Sequence, residues 1–185
     1  LAEHGAQVLH VGSARHPDPF EFVLDTGWGK RSTYLDLGRA DNLRALDGLL
    51  ASTDVFVQSW RPGLMEEHGL GARALGQRHP GMVCASISAY GDSGPWATRK
   101  GFEQLAQAVT GVAAAEGGDD RPRMVPTVLL NDYLAAYLGA AGVMAALVRR
   151  AREGGSYHVQ VSLAGCSMWV QGLGTRVPGA DAVMP

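Results

Sequence analysis

Asp132 is the residue of this sequence whose surroundings most favour chemistry. It stands at the start of residues 133–148, a long stretch without a formal charge that is rich in Ala, Leu, Gly and Val. Because a buried carboxylate is costly unless it is hydrogen-bonded or paired, Asp132 is predicted to cap a helix or to act as an acid, base or nucleophile. The amides and the dipole of a helix N-terminus would keep it ionised, which suits a nucleophile.

Other apparent motifs are weaker. The segment Gly91-Asp92-Ser93-Gly94-Pro95 is similar to the nucleophile motif of trypsin-like proteases, but it lacks one glycine and a partner histidine. His4, His10 and His16 are six residues apart, a spacing that fits neither one helix face nor a usual zinc-ligand pattern. We therefore predict surface histidines and no metal site.

The composition is typical of a globular cytoplasmic protein. Of the 185 residues, 46% are hydrophobic, enough for one domain with a substantial core. The 16 basic and 18 acidic residues form no basic block, which argues against a nucleic-acid partner. Cys84 and Cys166 are far apart, as expected of free thiols in a reducing compartment. Residues 133–148 are fewer than the roughly 18 apolar residues of a membrane span, so no membrane association is predicted.

Segments typical of strands and helices alternate along the chain. Strands are predicted at residues 8–11, 32–37, 54–58, 82–87 and 157–163. Helices are predicted at residues 41–50, 72–79, 102–112, 132–150 and 165–172, with a shorter one after Pro62 and with Asp41 as the N-cap of the first. This alternation predicts an α/β fold with a mostly parallel sheet flanked by helices.

Both ends of the sequence are typical of internal segments of a longer protein. Residues 1–6 are typical of the end of a helix with Gly5 as its stop, and in a βαβ unit a strand and its phosphate-side loop would precede that helix. Residues 173–185 lose periodicity and are rich in Gly and Pro. We predict a large-domain portion at residues 1–172, a linker or the start of a second lobe at 173–185, and a chain that is truncated or split.

Short segments in order along nearly the whole chain carry a resemblance to a known family. They include Gly29-Lys30-Arg31-Ser32, Trp60-Arg61-Pro62-Gly63, Gly101-Phe102-Glu103 and Asp132. Each alone is weak, but their order and spacing resemble the family III CoA-transferases, which contain formyl-CoA transferase, carnitine CoA-transferase and the acyl-CoA racemases. The resemblance implies a Rossmann-like large domain.

An aspartate at the position of Asp132 is the nucleophile in that family. The resemblance therefore implies that Asp132 attacks the thioester of an acyl-CoA, so that CoA passes between carboxylic acids through a covalent aspartyl intermediate. It also implies that Glu103 is a second catalytic residue, near the nucleophile and at the start of the preceding helix. The alternatives are a plain N-cap for Asp132 and an exposed first-turn glutamate for Glu103.

The resemblance also implies CoA as the cofactor, with contacts at defined positions. These positions are Arg15, the loop after the strand at Leu35, Ser59, Trp60, Arg61 and Lys100. Trp60 would pack on the nucleotide, and Arg61 or Lys100 would meet a phosphate. An acyl-CoA and a carboxylic acid are the implied substrates, and a homodimer is expected because subunits of this family interlock.

Other functions stay open at this stage. The racemase branch pairs a histidine with an aspartate as acid and base, but the histidine belongs where Phe102 stands, and phenylalanine cannot transfer a proton. A non-catalytic CoA-binding or assembly fragment that needs a partner chain is a second alternative, and a domain without a ligand is a third. The sequence does not distinguish among acyl donors or acceptors.

Overall fold

The computed structural model of this chain describes residues 1–15, 17–118, 120–126 and 128–174. It divides into two compact units, Leu1–Phe56 and Val57–Pro185. The predicted linker at 173–185 lies outside the described residues except for Leu173 and Gly174. The predicted α/β class is confirmed, with parallel strand pairs flanked by helices.

The first unit contains a two-stranded parallel sheet. A short 3-10 helix, Ala2–His4, ends at Gly5, whose φ of 86° is one that glycine adopts without strain. Strand β1, Val8–Gly12, pairs in parallel with β2, Lys30–Tyr34, and helix α1, Phe20–Thr26, lies between them in the chain. Helix α2, Ala40–Leu50, follows and buries its apolar side chains at Leu46 and Leu50.

Three details of this unit differ from the prediction. Helix α1 was not predicted, and its apolar side chains Phe20, Phe22, Val23 and Leu24 are all exposed. Strand β2 ends at Tyr34, and the turn after it closes when the Gly38 amide donates to Asp36 Oδ1 at 3.0 Å. Asp41 is not an N-cap, since Arg39 occupies that position and the Asp41 carboxylate pairs with Arg44 one turn further on.

The second unit is built on a sheet of order β3-β4-β5. The strands are β3, Val55–Gln58, β4, Val83–Ser88, and β5, Tyr157–Ser162, and the unit boundary falls within β3. Strands β4 and β5 are parallel, with Ser86 opposite Gln160. The helices are α3, Leu64–Glu67, α4, Ala72–Arg78, α5, Glu103–Val109, α6, Val112–Gly117, α7, Leu130–Glu153, and α8, Leu163–Gly172.

The two faces of the β4–β5 pair differ in chemistry. On one face Ile87 and Val161 pack against the cluster formed by Ala106, Ala135, Leu163 and Cys166. These residues come from α5, α7 and α8, so this apolar cluster fixes the start of α7 between two other helices. The other face carries polar side chains, because successive residues of a strand alternate between faces.

Helix α7 is longer than predicted and approaches the sheet closely. It has 24 residues, and a Cβ added at Gly142 would lie 2.7 Å from Val159 Cγ1. By length and composition alone α7 could cross a membrane, but the same properties are found in core helices, and α7 packs on β4 and β5. The helix predicted at 102–112 ends at Val109, and a helix that was not predicted, α6, begins at Val112 after the chain turns at Gly111, which has a φ of 83°.

Both cysteines are free and buried, which predicts low thiol reactivity. Burial raises the pKa of Cys84 to about 11, and burial followed by the charge of Glu103 raises that of Cys166. We expect Ellman's reagent to modify both thiols at least about tenfold more slowly in the folded chain than in urea, because only the thiolate reacts. A thiol that reacts at once in the folded chain would contradict this burial.

Candidate active site

Asp132 is the third residue of α7, whose N-cap is Leu129. Because Leu129 holds the N-cap position, the alternative of a plain N-cap for Asp132 is wrong. The residue as a whole is exposed. Desolvation by the surrounding protein, followed by the charge of Glu103, nevertheless raises the pKa of Asp132 above its ordinary value of 3.8. The helix N-terminus, expected to favour the ionised form, is therefore outweighed.

Glu103 is the buried carboxylate of this site. It is the first residue of α5, and only 2% of its surface is exposed. Gln107 Nε2 donates to Glu103 Oε1 at 2.5 Å, and the backbone amide of Asn131 donates to Glu103 Oε2 at 2.9 Å. Glu103 thus contacts the residue that precedes Asp132, where the resemblance placed it, and the alternative of an exposed glutamate is wrong.

The hydrogen bonds of Glu103 extend to three further buried residues, Gln107, Asn131 and Ser167. The sequence analysis did not identify them as site residues. Gln107 Oε1 accepts from the amide of Val125 at 2.9 Å, which ties the segment before α7 to α5. Ser167 Oγ donates to Asn131 Oδ1 at 2.9 Å, which ties α8 to α7. The only signals in the sequence were a glutamine one helical turn after Glu103 and an asparagine directly before Asp132.

Because the pKa of Asp132 is raised, Asp132→Asn and the wild type should differ in stability by an amount that depends on pH. The folded chain holds this proton more tightly than the unfolded chain, so ionisation at neutral pH destabilises the fold. We expect Asp132→Asn to raise the melting temperature at neutral pH, by less than about 4 °C because solvent screens an exposed carboxylate. The gain should shrink as the pH falls and disappear well below pH 3.8, where Asp132 is protonated in both the folded and the unfolded chain. A melting temperature below that of the wild type at neutral pH would contradict this.

Four predicted CoA contacts belong to the second unit. Ser59, Trp60 and Arg61 form the exposed loop between β3 and α3, and Lys100 is exposed just before α5. A Cβ added at Gly101 would lie 2.6 Å from the Ala89 Cβ, so the chain at Lys100 passes directly against the segment after β4. The loop therefore offers a half-exposed ring and a cation, and Lys100 offers a second cation.

The other two predicted contacts belong to the first unit. Leu35 directly follows β2, and its amide donates to the Gly12 carbonyl at 3.1 Å. Arg15 Nη2 lies 3.0 Å from Asp36 Oδ2, so the structure brings Arg15 to the loop that follows Leu35. The Arg15 side chain is 75% exposed, which leaves its guanidinium accessible to an anion.

A cavity of about 790 Å³ lies on the polar face of the sheet in the second unit. Its lining includes Trp60, Gln58, Ser86 and His158, together with the carboxylates Glu66 and Asp92. Neither Asp132 nor Glu103 is among the lining residues, so this cavity is separate from the candidate nucleophile. In the described part of the chain, no three His, Cys, Asp or Glu residues are grouped to hold a metal ion.

Solved structures share this arrangement of strands and helices. Rv3272 from Mycobacterium tuberculosis superposes with a TM-score of 0.81 and 28% identity, over 91% of this chain and 49% of that one. A CaiB/BaiF family protein from Brucella suis superposes with a TM-score of 0.79 and 25% identity, over 89% of this chain and 48% of that one. The fold is therefore that of the CaiB/BaiF proteins.

The family is defined by sequence as well. The family model of CoA-transferase family III matches residues 1–176, and the chain therefore belongs to that family. The acetyl-coenzyme A transferase nodX of Hypoxylon pulicicidum is 34% identical over 95% of this chain and 31% of its own length. The succinyl-CoA–L-malate CoA-transferase alpha subunit of Chloroflexus aurantiacus is 29% identical over 88% of this chain and 41% of its own length. The chain thus spans well under half of these relatives.

Proposed function

We propose that this chain carries the nucleophile of a CoA-transferase that moves CoA between carboxylic acids through Asp132. The observation that carries the proposal is a carboxylate in the first turn of α7 whose pKa is raised by desolvation and then by the charge of a buried second carboxylate. A partly desolvated carboxylate is a stronger nucleophile than one fully solvated by water. Because the family acts on CoA thioesters, the electrophile is the thioester carbonyl of an acyl-CoA.

The reaction proceeds by two exchanges at Asp132. A carboxylate oxygen of Asp132 attacks the thioester carbonyl, which forms an aspartyl-acyl anhydride and expels CoA as its thiolate. The thiolate attacks the aspartyl carbonyl, which releases the acyl group as a carboxylate and leaves an aspartyl-CoA thioester. An incoming carboxylate repeats both steps in reverse. The free energy of the thioester bond is retained through these exchanges, so ATP is not consumed.

Glu103 supports this chemistry by position and charge. Both of its oxygens accept hydrogen bonds inside the protein, so it fixes the Asn131 amide and, through it, the backbone at Asp132. Its charge helps to raise the pKa of Asp132, which makes the nucleophile more basic. We assign Glu103 as a positioning residue, because a carboxylate that is 2% exposed has no surface for a substrate.

CoA is bound, in this proposal, by the exposed groups already described. Arg61 and Lys100 supply charge for phosphates, Trp60 supplies a ring face beside Ser59, and Arg15 supplies a further cation beside the loop that follows Leu35. A partner chain completes the enzyme, as a cytoplasmic homodimer or with a different subunit. Support for a partner comes from two relatives named as alpha and beta subunits of one succinyl-CoA–L-malate CoA-transferase.

The racemase alternative remains less well supported. Phe102 occupies the position of its histidine and is the N-cap of α5, with 73% of its surface exposed. A benzene ring offers no proton, so the second base of a racemase would have to come from elsewhere. The partner-dependent fragment is the stronger alternative, because the chain spans only 41% of the alpha subunit it resembles.

Isotope exchange tests the proposed transfer without knowledge of the natural acceptor. The chain is incubated, without ATP, with an acyl-CoA and the isotopically labelled free acid of the same acyl group. We expect label to enter the thioester for at least one member of a panel of short acyl-CoAs, since the acid and the acyl group exchange through Asp132. CoA binding without any exchange would contradict autonomous transfer and favour the non-catalytic fragment.

A further inference from the structure

Three polar side chains on the three strands of the second unit form a continuous hydrogen-bonded chain. Gln58 at the end of β3 donates from Nε2 to Ser86 Oγ on β4 at 2.9 Å. Ser86 Oγ lies 2.8 Å from His158 Nε2 on β5. At the other end, Gln58 Oε1 accepts from the backbone amide of Trp60 at 2.8 Å. We call these three side chains, Gln58, Ser86 and His158, the sheet relay.

The relay fixes the orientation of the Gln58 side chain. Because Gln58 Oε1 must face the Trp60 amide, its Nε2 must face Ser86, and the side chain cannot be turned over. The Ser86 oxygen accepts from Gln58, and its contact with His158 Nε2 is a hydrogen bond in either imidazole tautomer, because a hydroxyl group both donates and accepts. Burial lowers the pKa of His158 against the opposing charges of Asp92 and Glu66, and this favours the neutral imidazole that can accept.

Polar side chains at these positions are unusual for the strand pair on which they lie. Parallel sheets are normally covered on both faces and are apolar on both. Here one face packs on α7 through Ile87 and Val161, whereas the opposite face presents the relay to the cavity. Both polar atoms of the Gln58 side chain, Ser86 Oγ and His158 Nε2 are hydrogen-bonded, as partly enclosed polar groups require. The relay ends at the loop that carries three of the predicted CoA contacts.

We propose that Gln58, Ser86 and His158 are positioning residues that hold the backbone of Trp60 in the conformation that binds CoA. This inference rests on the proposed function of the Ser59-Trp60-Arg61 loop and adds residues that do not themselves contact the cofactor. Gln58 acts directly on the loop, since it is two residues from Trp60 and accepts its amide proton. Ser86 and His158 act through Gln58, because they hold the other end of its amide.

Ser86→Ala and Gln58→Met interrupt the relay at different points with little change in volume. Ser86→Ala removes the oxygen shared by Gln58 and His158, and Gln58→Met removes the acceptor of the Trp60 amide. Ser86→Thr retains the hydroxyl and adds a methyl group that the cavity can hold. Gln77→Met is the matched control, since Gln77 lines the same cavity but takes no part in the relay.

Two measurements test the relay. In hydrogen exchange, the Trp60 amide should exchange at least about tenfold faster in Ser86→Ala and Gln58→Met than in wild type, because its bond is weakened or lost. The dissociation constant for CoA should rise about five- to tenfold in both variants and remain near wild type in Ser86→Thr and Gln77→Met. Formation of the covalent aspartyl intermediate at saturating acyl-CoA should stay within about twofold of wild type in Ser86→Ala and Gln58→Met, because the relay serves binding and not the chemical step.

Three results would overturn the relay or its role. Unchanged exchange at Trp60 in Ser86→Ala and Gln58→Met would show that the relay does not hold the loop. Faster hydrogen exchange at the Trp60 amide with unchanged CoA affinity would show that the conformation held by the relay is irrelevant to CoA binding. A wild-type chain with a protected Trp60 amide that binds no CoA would refute the proposed cofactor site and the relay's role in it, while leaving the positioning of the loop established.

Discussion

Asp132→Asn should reduce label exchange between an acyl-CoA and its free acid by a factor of about a thousand or more. An amide cannot attack a thioester as a carboxylate does, and loss of a covalent nucleophile typically costs at least this much. CoA affinity should change little, because Asp132 is not one of the predicted CoA contacts. Exchange is followed by mass spectrometry of the thioester pool, and affinity by calorimetry.

Glu153→Gln is the matched control for that substitution. It neutralises a carboxylate at the opposite end of the same helix, where Glu153 pairs with Arg149 on the exposed surface. We expect exchange in Glu153→Gln within about twofold of wild type, because an exposed pair of this kind contributes little. If the wild type exchanges label and Asp132→Asn exchanges it equally fast, the nucleophile is another residue.

Glu103→Ala should lower the free energy of unfolding by about 2–4 kcal/mol. The substitution leaves Gln107 Nε2 and the Asn131 amide buried without their acceptor and opens a cavity at a residue that is 2% exposed. Urea unfolding measures the change. Gln104→Ala is the matched control, because Gln104 is an exposed neighbour in the same helix and should change stability by less than about 0.5 kcal/mol.

Glu103→Gln separates the role of charge from that of volume. Its amide nitrogen must face one of two donors, because Gln107 is held by Val125 and cannot turn its own amide over. We expect a free energy of unfolding between those of wild type and Glu103→Ala. We also expect a lower pKa for Asp132, because the charge of Glu103 is removed. Stability equal to wild type for both variants would show that the buried network does not hold the start of α7.

The sequence predicted most of the strands and helices of this fold because their apolar residues follow a period. Strands β1, β3, β4 and β5 and helices α2, α4 and α7 occur within a few residues of their predicted ranges. Helix α1 was missed because its seven residues are too few to show a repeating apolar pattern. The earlier end of α5 and the separate helix α6 were missed because Gly111, where the chain turns, stands in an otherwise continuous run of helix-forming residues.

The candidate site was predictable in part. Asp132 stood out because it precedes a long uncharged run, and the resemblance placed Glu103 beside it. The burial of Glu103 could not be predicted, since its partner Asn131 is 28 residues away in the sequence and donates through its backbone. The sheet relay was equally hidden, because Ser86 and His158 are 72 residues apart and meet only when β4 pairs with β5.

The most direct test of the proposed chemistry is to trap the intermediate on Asp132. The chain is incubated with an acyl-CoA, quenched with hydroxylamine, digested and examined by peptide mass spectrometry. We expect a hydroxamate on the peptide that contains Asp132, absent from Asp132→Asn, because hydroxylamine attacks an aspartyl anhydride or thioester at the aspartyl carbonyl. A hydroxamate on another peptide, or label exchange that proceeds without any hydroxamate at Asp132, would contradict a covalent aspartyl intermediate.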